Sequence, residues 1–258
     1  MEPQTIVIKI GGRMANNDAL LTAFITELAG KTARNRFIIV HGGGKEVTEL
    51  SETLTGKPAV FENGIRLTSP EEMEVVEMVL SGRVNKRLSR KFQANGIRAV
   101  GISLADGHTS HGEPLSGPHT TRTGEVHTVD TALIRLLVTH GFVPVFSPVS
   151  MEETGDALNI NADEAALALA VALQAHTLLY LSDIPGVMKD KEVLSTLNPR
   201  KAEEEITAGV INGGMIPKVR SAIGALFKGV TRIIIGEYAR AGSLEELFTG
   251  RAGTSITF

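Results

Sequence analysis

Short, nearly unbroken apolar runs punctuate the chain, separated by longer stretches in which apolar residues recur with helical spacing. Thr5 to Ile10, Phe37 to Val40, Ala99 to Ile102, Val143 to Phe146, Thr177 to Leu181 and Thr231 to Ile235 are runs of the first kind, rich in β-branched residues. A strand with one wet face alternates apolar and polar side chains; continuous apolarity marks a strand covered on both faces. The intervening periodicity predicts helices over about 19–29, 45–54, 70–93, 129–139, 162–173, 199–207 and 215–227. Buried strands alternating with helices predict an α/β fold: an open, mostly parallel central sheet with helices on both faces, an αβα sandwich.

Two segments depart from this rhythm. Gly107 to His127 is rich in Gly, Pro, Thr, Ser and His and has no helical period. Loops of this length inside compact domains are usually functional, and we read this one as hairpins or a lid. The predicted helix over 70–93 carries a stripe of Met73, Val76, Leu80, Val84 and Leu88, which Val75, Met78 and Val79 broaden. Such a helix is either buried around most of its circumference or covered on its second face by a partner subunit. The sheet restarts near Leu173–His176, which divides the chain into an N-terminal lobe of about 1–173 and a C-terminal lobe of about 174–258.

Composition narrows the choice of partners. The chain has 258 residues, 42% of them apolar and 21% charged, ordinary for a globular protein. A net charge of −3 gives no electrostatic pull toward nucleic acid or an acidic membrane. The absence of cysteine excludes disulfides and thiolate metal sites. No apolar stretch is long enough to span a bilayer, and Met-Glu-Pro-Gln leads into the first strand without a basic signal region. The expectation is a cytoplasmic protein without membrane or nucleic-acid partners.

Candidate chemistry gathers at strand ends. Lys9 lies inside an apolar strand and is followed by Gly11-Gly12. An unpaired ammonium is costly to bury, so this lysine belongs at the strand's exit, either meeting an anion or snorkelling to solvent. His41-Gly42-Gly43-Gly44 repeats the arrangement, and strand, glycine turn and helix N-terminus together make an anion site. Asn159-Ile160-Asn161-Ala162-Asp163 precedes an unbroken helix-forming run; capping requires one such polar residue, not three in five positions. Asn212-Gly213-Gly214 enters a helix that carries Lys218 in its first turn, against the helix dipole. Neither a P-loop nor a dinucleotide fingerprint is present. His108, His111, His119 and His127 lack zinc-site spacing, so no metal ligands are assigned. Glu71, Glu72, Glu74 and Glu77 read as a helix start with its exposed face.

In this order the pieces resemble the amino-acid kinase family, most closely its members that act on N-acylated glutamate. The resemblance runs nearly end to end: Lys9-x-Gly11-Gly12, His41 to Gly44, Asn63-Gly64-Ile65-Arg66-x-Thr68, Met73 to Val79 with Val84-Asn85-Lys86, Gly124-Glu125-Val126, Asn159 to Asp163, Ser182 to Val187, Gly213 to Lys218 and Leu247-Phe248-Thr249. It implies ATP-dependent phosphorylation, with Mg2+ carried by the nucleotide phosphates, of the side-chain carboxylate of N-acetyl-L-glutamate, the second step of arginine biosynthesis. It further implies catalytic roles for Lys9 and Lys218 on either side of the phosphoryl group, with Asp163 organising both. Gly43, Gly44, Arg66 and Asn159 would bind the acyl amino acid. Gly11, Gly12, Asp183, Ile184, Pro185, Gly186, Val187, Ile211, Asn212, Gly213 and Gly214 would bind ATP. Lys45, and Leu104-Ala105 before Asp106-Gly107, depart from the family pattern and bear on acyl-group preference. The short lead into the first strand implies an arginine-insensitive homodimer, joined partly through the helix over 70–93. A kinase for N-succinylglutamate or an acylated aminoadipate, and a ligand sensor on the same fold, stand as alternatives.

Overall fold

A computed structural model describes residues 3–62, 64–116 and 121–258. The N-terminal half runs β1 (Gln4–Ile10), α1 (Gly12–Ala15), α2 (Asp18–Ala29), β2 (Asn35–His41), α3 (Gly44–Thr55) and the antiparallel pair β3 (Phe61–Glu62) and β4 (Ile65–Arg66). Next come α4 (Pro70–Glu77), a π-helical segment (Met78–Val84), α5 (Asn85–Ala94) and β5 (Ala99–Ser103). Then follow β6 (Ser110–Pro114), β7 (Thr123–Val129), α6 (Ala132–Thr139), β8 (Val143–Ser147), β9 (Val149–Met151), β10 (Ala157–Ile160) and α7 (Ala162–Ala172). The remainder is β11 (Thr177–Leu181), β12 (Met188–Lys189), β13 (Glu192–Val193), β14 (Thr196–Leu197), α8 (Pro199–Thr207), α9 (Met215–Phe227), β15 (Arg232–Gly236), α10 (Ser243–Phe248) and β16 (Thr254–Ile256).

The central sheet has eight strands in the order β14-β16-β15-β11-β1-β2-β8-β5. Its six contiguous parallel strands, β15 to β5, are the six apolar runs read from the sequence. Beyond them β16 runs antiparallel to β15 and carries β14 as the edge strand. Both faces are buried: Ile6, Ile8 and Ile10 of β1 enter one core, and Val7 enters the other with Ile38, Val40 and Tyr180. Each such large apolar side chain contributes roughly 1.5–3 kcal/mol on burial. The sheet continues across the segment near 173–176, because β11 pairs with β1.

The segment Gly107 to His127 contains a hairpin rather than a free loop. β6 and β7 pair antiparallel and close a four-stranded barrel with β9 and β10; residues 117–120 lie outside the described structure. Two helical expectations are corrected. The helix predicted over 129–139 starts at Ala132, because Val129 ends β7. The helix predicted over 70–93 is not one α-helix: Ser69 caps α4 by accepting the Glu72 N–H at 3.1 Å, and the π segment interrupts the helix before α5 resumes. A π turn inserts a residue and rotates the apolar face. That rotation accounts for Val79 joining the buried stripe, and it leaves Met78 outside. Met78 is exposed, whereas Val79, Leu80 and Val84 are buried.

Candidate active site

Lys9 is the penultimate residue of β1, in register with Val40 and Tyr180 on its neighbours. It shares a sheet face with Val7, over which α7 packs. Asp163 lies in the first turn of α7, whose N-cap, Asn161, accepts the Asp163 N–H at 2.8 Å. The two Asp163 carboxylate oxygens meet different lysines: Oδ1 is 2.9 Å from Lys9 Nζ and Oδ2 is 2.9 Å from Lys218 Nζ. Burial pushes the Asp163 carboxyl up, but Lys9 and Lys218 together outweigh it and hold the group below the usual carboxylate range. The α7 dipole favours the same charge state. Two ammonium groups and one carboxylate leave the cluster with one excess positive charge, ready for an anion. Tyr180 backs it: the hydroxyl donates to the Asp163 carbonyl at 3.2 Å, and Lys218 Nζ lies 5.1 Å from the ring centroid. Burial, reinforced by Asp163, pushes the Tyr180 hydroxyl up and keeps it protonated.

Beside this cluster opens a cavity of about 350 Å3. Its lining combines Gly43, Gly44, Arg66 and Asn159 with apolar side chains such as Leu80 and Ile160. The N-termini of α3 and α7 both open onto it, and two helix N-termini favour a negatively charged occupant. Gly43 is the N-cap of α3, and a Cβ there would stand 2.7 Å from Leu80 Cδ2 of the π segment. A side chain there would force Leu80 to move out of this close packing. Asn159 is the penultimate residue of β10 rather than a helix cap, and its amide donates to Thr68 Oγ1 at 2.9 Å. Thr123 Oγ1 accepts the Thr68 N–H at 2.8 Å and donates to the Arg66 carbonyl at 2.5 Å.

Arg66 is held more tightly than the sequence indicates. Its Nη1 donates to Glu72 Oε1 at 2.7 Å, and its Nη2 bonds Thr48 Oγ1 and the Gly44 carbonyl. Glu72 is therefore no exposed face residue: it is buried with Arg66, unlike Glu71, Glu74 and Glu77. Its place in the Ser69-Pro70-Glu71-Glu72 start accounts for a helix cap fully, so the sequence carries no separate signal for the ion pair. Thr48 and Thr123 likewise carry no signal in the sequence, and Thr68 entered only as the end of the Asn63 to Thr68 motif. Asn63, beside this pair in the chain, lies outside the described residues.

The remaining candidate residues lie on more open ground. Gly11 is the N-cap of the short helix α1 and Gly12 its first residue. Gly11 shares with Asp183 a recess of only about 20 Å3. In the turn after β11, Asp183 and Pro185 are exposed, Ile184 is half-buried, and Gly186 and Val187 are buried. Val187 donates its N–H to Thr254 Oγ1 at 2.8 Å. Ile211 is buried, while Asn212, Gly213 and Gly214 are exposed ahead of α9. The Val187 and Ile211 side chains belong to the core, so a ligand could meet these residues only through their backbone. The His108 and His111 rings stack at 5.6 Å, and His119 lies outside the described residues. Among the described residues no three His, Asp or Glu side chains cluster as a metal cage, and no helix is long and apolar enough to cross a membrane.

A mostly parallel sheet with glycine turns at its strand ends, and two lysines clamped by one carboxylate, defines a phosphotransferase architecture. The model of the Amino acid kinase family matches residues 4–237, and the chain belongs to that family. It is 40% identical over 254 residues to acetylglutamate kinase of Rubrobacter xylanophilus, covering 98% of this chain and 97% of that one. It is 39% identical over 233 residues to acetylglutamate kinase of Geobacillus stearothermophilus, covering 90% and 89%. Among solved structures, a protein of Streptococcus mutans UA159 superposes with a TM-score of 0.79 at 31% identity over 98% of both chains. Carbamate kinase of Giardia lamblia shares the fold, with a TM-score of 0.70 at 16% identity over 99% of this chain and 98% of that one.

Proposed function

We propose that this chain transfers the γ-phosphoryl group of ATP to the γ-carboxylate of N-acetyl-L-glutamate, giving N-acetyl-L-glutamyl 5-phosphate and ADP. The observation that carries the reading is the Lys9–Asp163–Lys218 bridge beside an anion-favouring cavity. Relatives named acetylglutamate kinase, matched over nearly the whole chain, support the choice of acceptor.

The chemistry needs no general base. A glutamate side chain, with a pKa of about 4.3, is already an anionic nucleophile at neutral pH. Its oxygen attacks the γ-phosphorus as the bond to the ADP oxygen breaks, and the barrier is the approach of two anions. Lys9 and Lys218, preset by Asp163 on opposite sides, neutralise the charge that develops on the phosphoryl oxygens. Amides of Gly11, Gly12 and Gly44 add donors. Arg66 meets the acceptor's α-carboxylate from its Glu72-braced position, and Asn159 orients the acyl amide. Asp183 to Val187 and Ile211 to Gly214 border the nucleotide. Mg2+ travels on the ATP phosphates, since Asp163, the carboxylate of the lysine cluster, is committed to its two lysines.

In this reading the protein works in the cytoplasm at the second step of arginine biosynthesis, as a homodimer. The exposed Met78 face of the 70–94 helix supports that interface. The deciding measurement is ADP release with ATP, Mg2+ and each of three acceptors. We expect kcat/KM to be highest for N-acetyl-L-glutamate. A preference for N-succinylglutamate or an acylated aminoadipate would change the acceptor, and no acceptor-dependent turnover would leave a ligand sensor.

A further inference from the structure

Beneath the Gly42–Gly44 turn lies a buried polar chain to which the transfer chemistry above assigns no part. His41, the last residue of β2, is wholly buried. Its Nδ1 lies 2.9 Å from the Gly42 carbonyl oxygen and its Nε2 lies 3.1 Å from Asn85 Nδ2. Asn85, equally buried, opens α5 directly after the π segment. The same amide nitrogen faces the Val145 carbonyl at 2.8 Å and the Ile102 carbonyl at 3.3 Å, so it is a donor whose two hydrogens are shared among three acceptors. The Gly42 carbonyl can only accept, so the single ring proton sits on Nδ1, and Nε2 faces the Asn85 amide as an acceptor. Asn85 has room to do this because residue 101 is glycine: a Cβ there would stand 2.2 Å from Asn85 Oδ1.

Gly42 is thereby fixed at both ends, because its N–H also donates to the Ile10 carbonyl at 3.0 Å. A trans peptide points its carbonyl and the next N–H in opposite directions. A Gly42 carbonyl drawn down onto His41 therefore turns the Gly43 N–H away from His41, and Gly43 is a residue that lines the cavity. We propose that His41 is a positioning residue for the transfer: it aims the Gly43 amide at the reacting anions, with Asn85 setting its tautomer. The proposal rests on the acyl-amino-acid kinase reading above. Burial lowers the His41 pKa to about 4; the Gly42 bond and Glu46 of α3 oppose this, and Arg87 and Lys86 of α5 add to it. The ring is accordingly neutral, with a single proton to place.

The test contrasts two substitutions of similar bulk and polarity. The side-chain amide of His41→Asn reaches the Nδ1 position and keeps the donor to Gly42. That of His41→Gln reaches the Nε2 position, keeping a partner for Asn85 but losing that donor. We expect kcat to fall about 10- to 100-fold in His41→Gln and to stay within about 3-fold of wild type in His41→Asn, because an amide aimed at developing charge acts in the transition state. KM for both substrates should move by less than about 3-fold, and the two Tm values should agree. Equal kcat in the two variants, or a loss confined to Tm, overturns the proposal. Should either variant fail to fold, 15N imidazole NMR of the wild-type protein decides: a His41 proton on Nε2 at neutral pH overturns it. Wild-type protein without acceptor-dependent turnover removes the functional reading and this inference together. Wild-type turnover with indistinguishable variants removes the inference alone.

Discussion

The proposed acceptor side and the proposed nucleotide side of the site are built differently. Around the acceptor cavity nearly every polar group has a partner: Arg66 with Glu72 and Thr48, Asn159 with Thr68, His41 with Asn85. Among the residues proposed for the nucleotide, Asp183, Asn212, Gly213 and Gly214 are exposed, and the recess at Asp183 is small. A small acid with few contacts gains specificity from a shape set in advance, since ordering side chains at the moment of binding consumes affinity. A nucleotide brings its own charge and many hydrogen-bonding groups, and can organise exposed turns around itself. Damage on the acceptor side should therefore reach stability and acceptor kinetics together, whereas damage on the nucleotide side should stay with ATP.

The sharpest way to break that contrast is Glu72→Ala. It leaves Arg66 buried without its carboxylate, and orphaning one partner of a buried ion pair costs about 3–5 kcal/mol. We expect a fall of that size in unfolding free energy by urea titration, with a raised KM for acetylglutamate and little change for ATP. A neutral Glu72→Ala would mean the acceptor side is not preset. Next in size, Lys218→Ala should lower kcat about 100- to 1,000-fold with both KM values nearly unchanged, the loss typical of one donor to developing charge. If steady-state kinetics show the loss in KM instead, Lys218 binds substrate rather than the transition state.

The acceptor side should also be the more sensitive to acid. His41 has a folded pKa lowered to about 4 against 6.5 for the unfolded chain. The unfolded state thus binds the extra proton between those values. The stabilisation is complete above about pH 6.5, declines as pH falls toward 4, and is constant below. A gap of that width corresponds to about 3 kcal/mol. Urea titrations at stepped pH should show that slope in wild type, and it should flatten in His41→Asn. An unchanged slope in the variant would assign the acid sensitivity to other groups.

Much of the fold and part of the site were legible in the chain itself. Continuous apolar runs reveal strands buried on both faces, and all six belong to the parallel sheet. β14 and β16, two and three residues long, carry too few positions for any period. β9 and β10 close a barrel through pairings that no local pattern announces. Lys9, Asp163 and Lys218 stood out because charge is anomalous where they sit. Glu72 did not, because a glutamate at a helix start has an ordinary explanation, and Asn85 entered only within the Val84-Asn85-Lys86 motif, with no sign of its buried contacts. Their partners, Arg66 and His41, lie on other elements. The π segment did leave a trace, in the broadening of the stripe at Val79.

On the nucleotide side, Asn212→Ala removes one exposed amide that the proposed site places on ATP. A single neutral hydrogen bond is worth about 0.5–1.5 kcal/mol net, so KM for ATP should rise about 2- to 10-fold while KM for the acceptor stays put. A parallel change in both would show that the two sides are mechanically linked.

The smallest effect expected tests whether charge at the cavity's rim steers the acceptor. Lys45 lines the cavity mouth, its side chain is 77% exposed, and its ion pair with Glu49 is long at 3.8 Å. Arg66, by contrast, is already neutralised by Glu72, so Lys45 supplies the open positive charge there. An exposed charge interacts weakly and is screened over about 8 Å at physiological ionic strength. Lys45→Gln should therefore raise KM for N-acetyl-L-glutamate about 2- to 3-fold at low salt, leave kcat alone, and lose most of its effect at about 0.5 M salt. An effect that persists at high salt would place Lys45 in direct contact with the bound acid. The preset part of the acceptor site would then extend to its rim, and the departure at Lys45 would become a determinant of which acyl group fits.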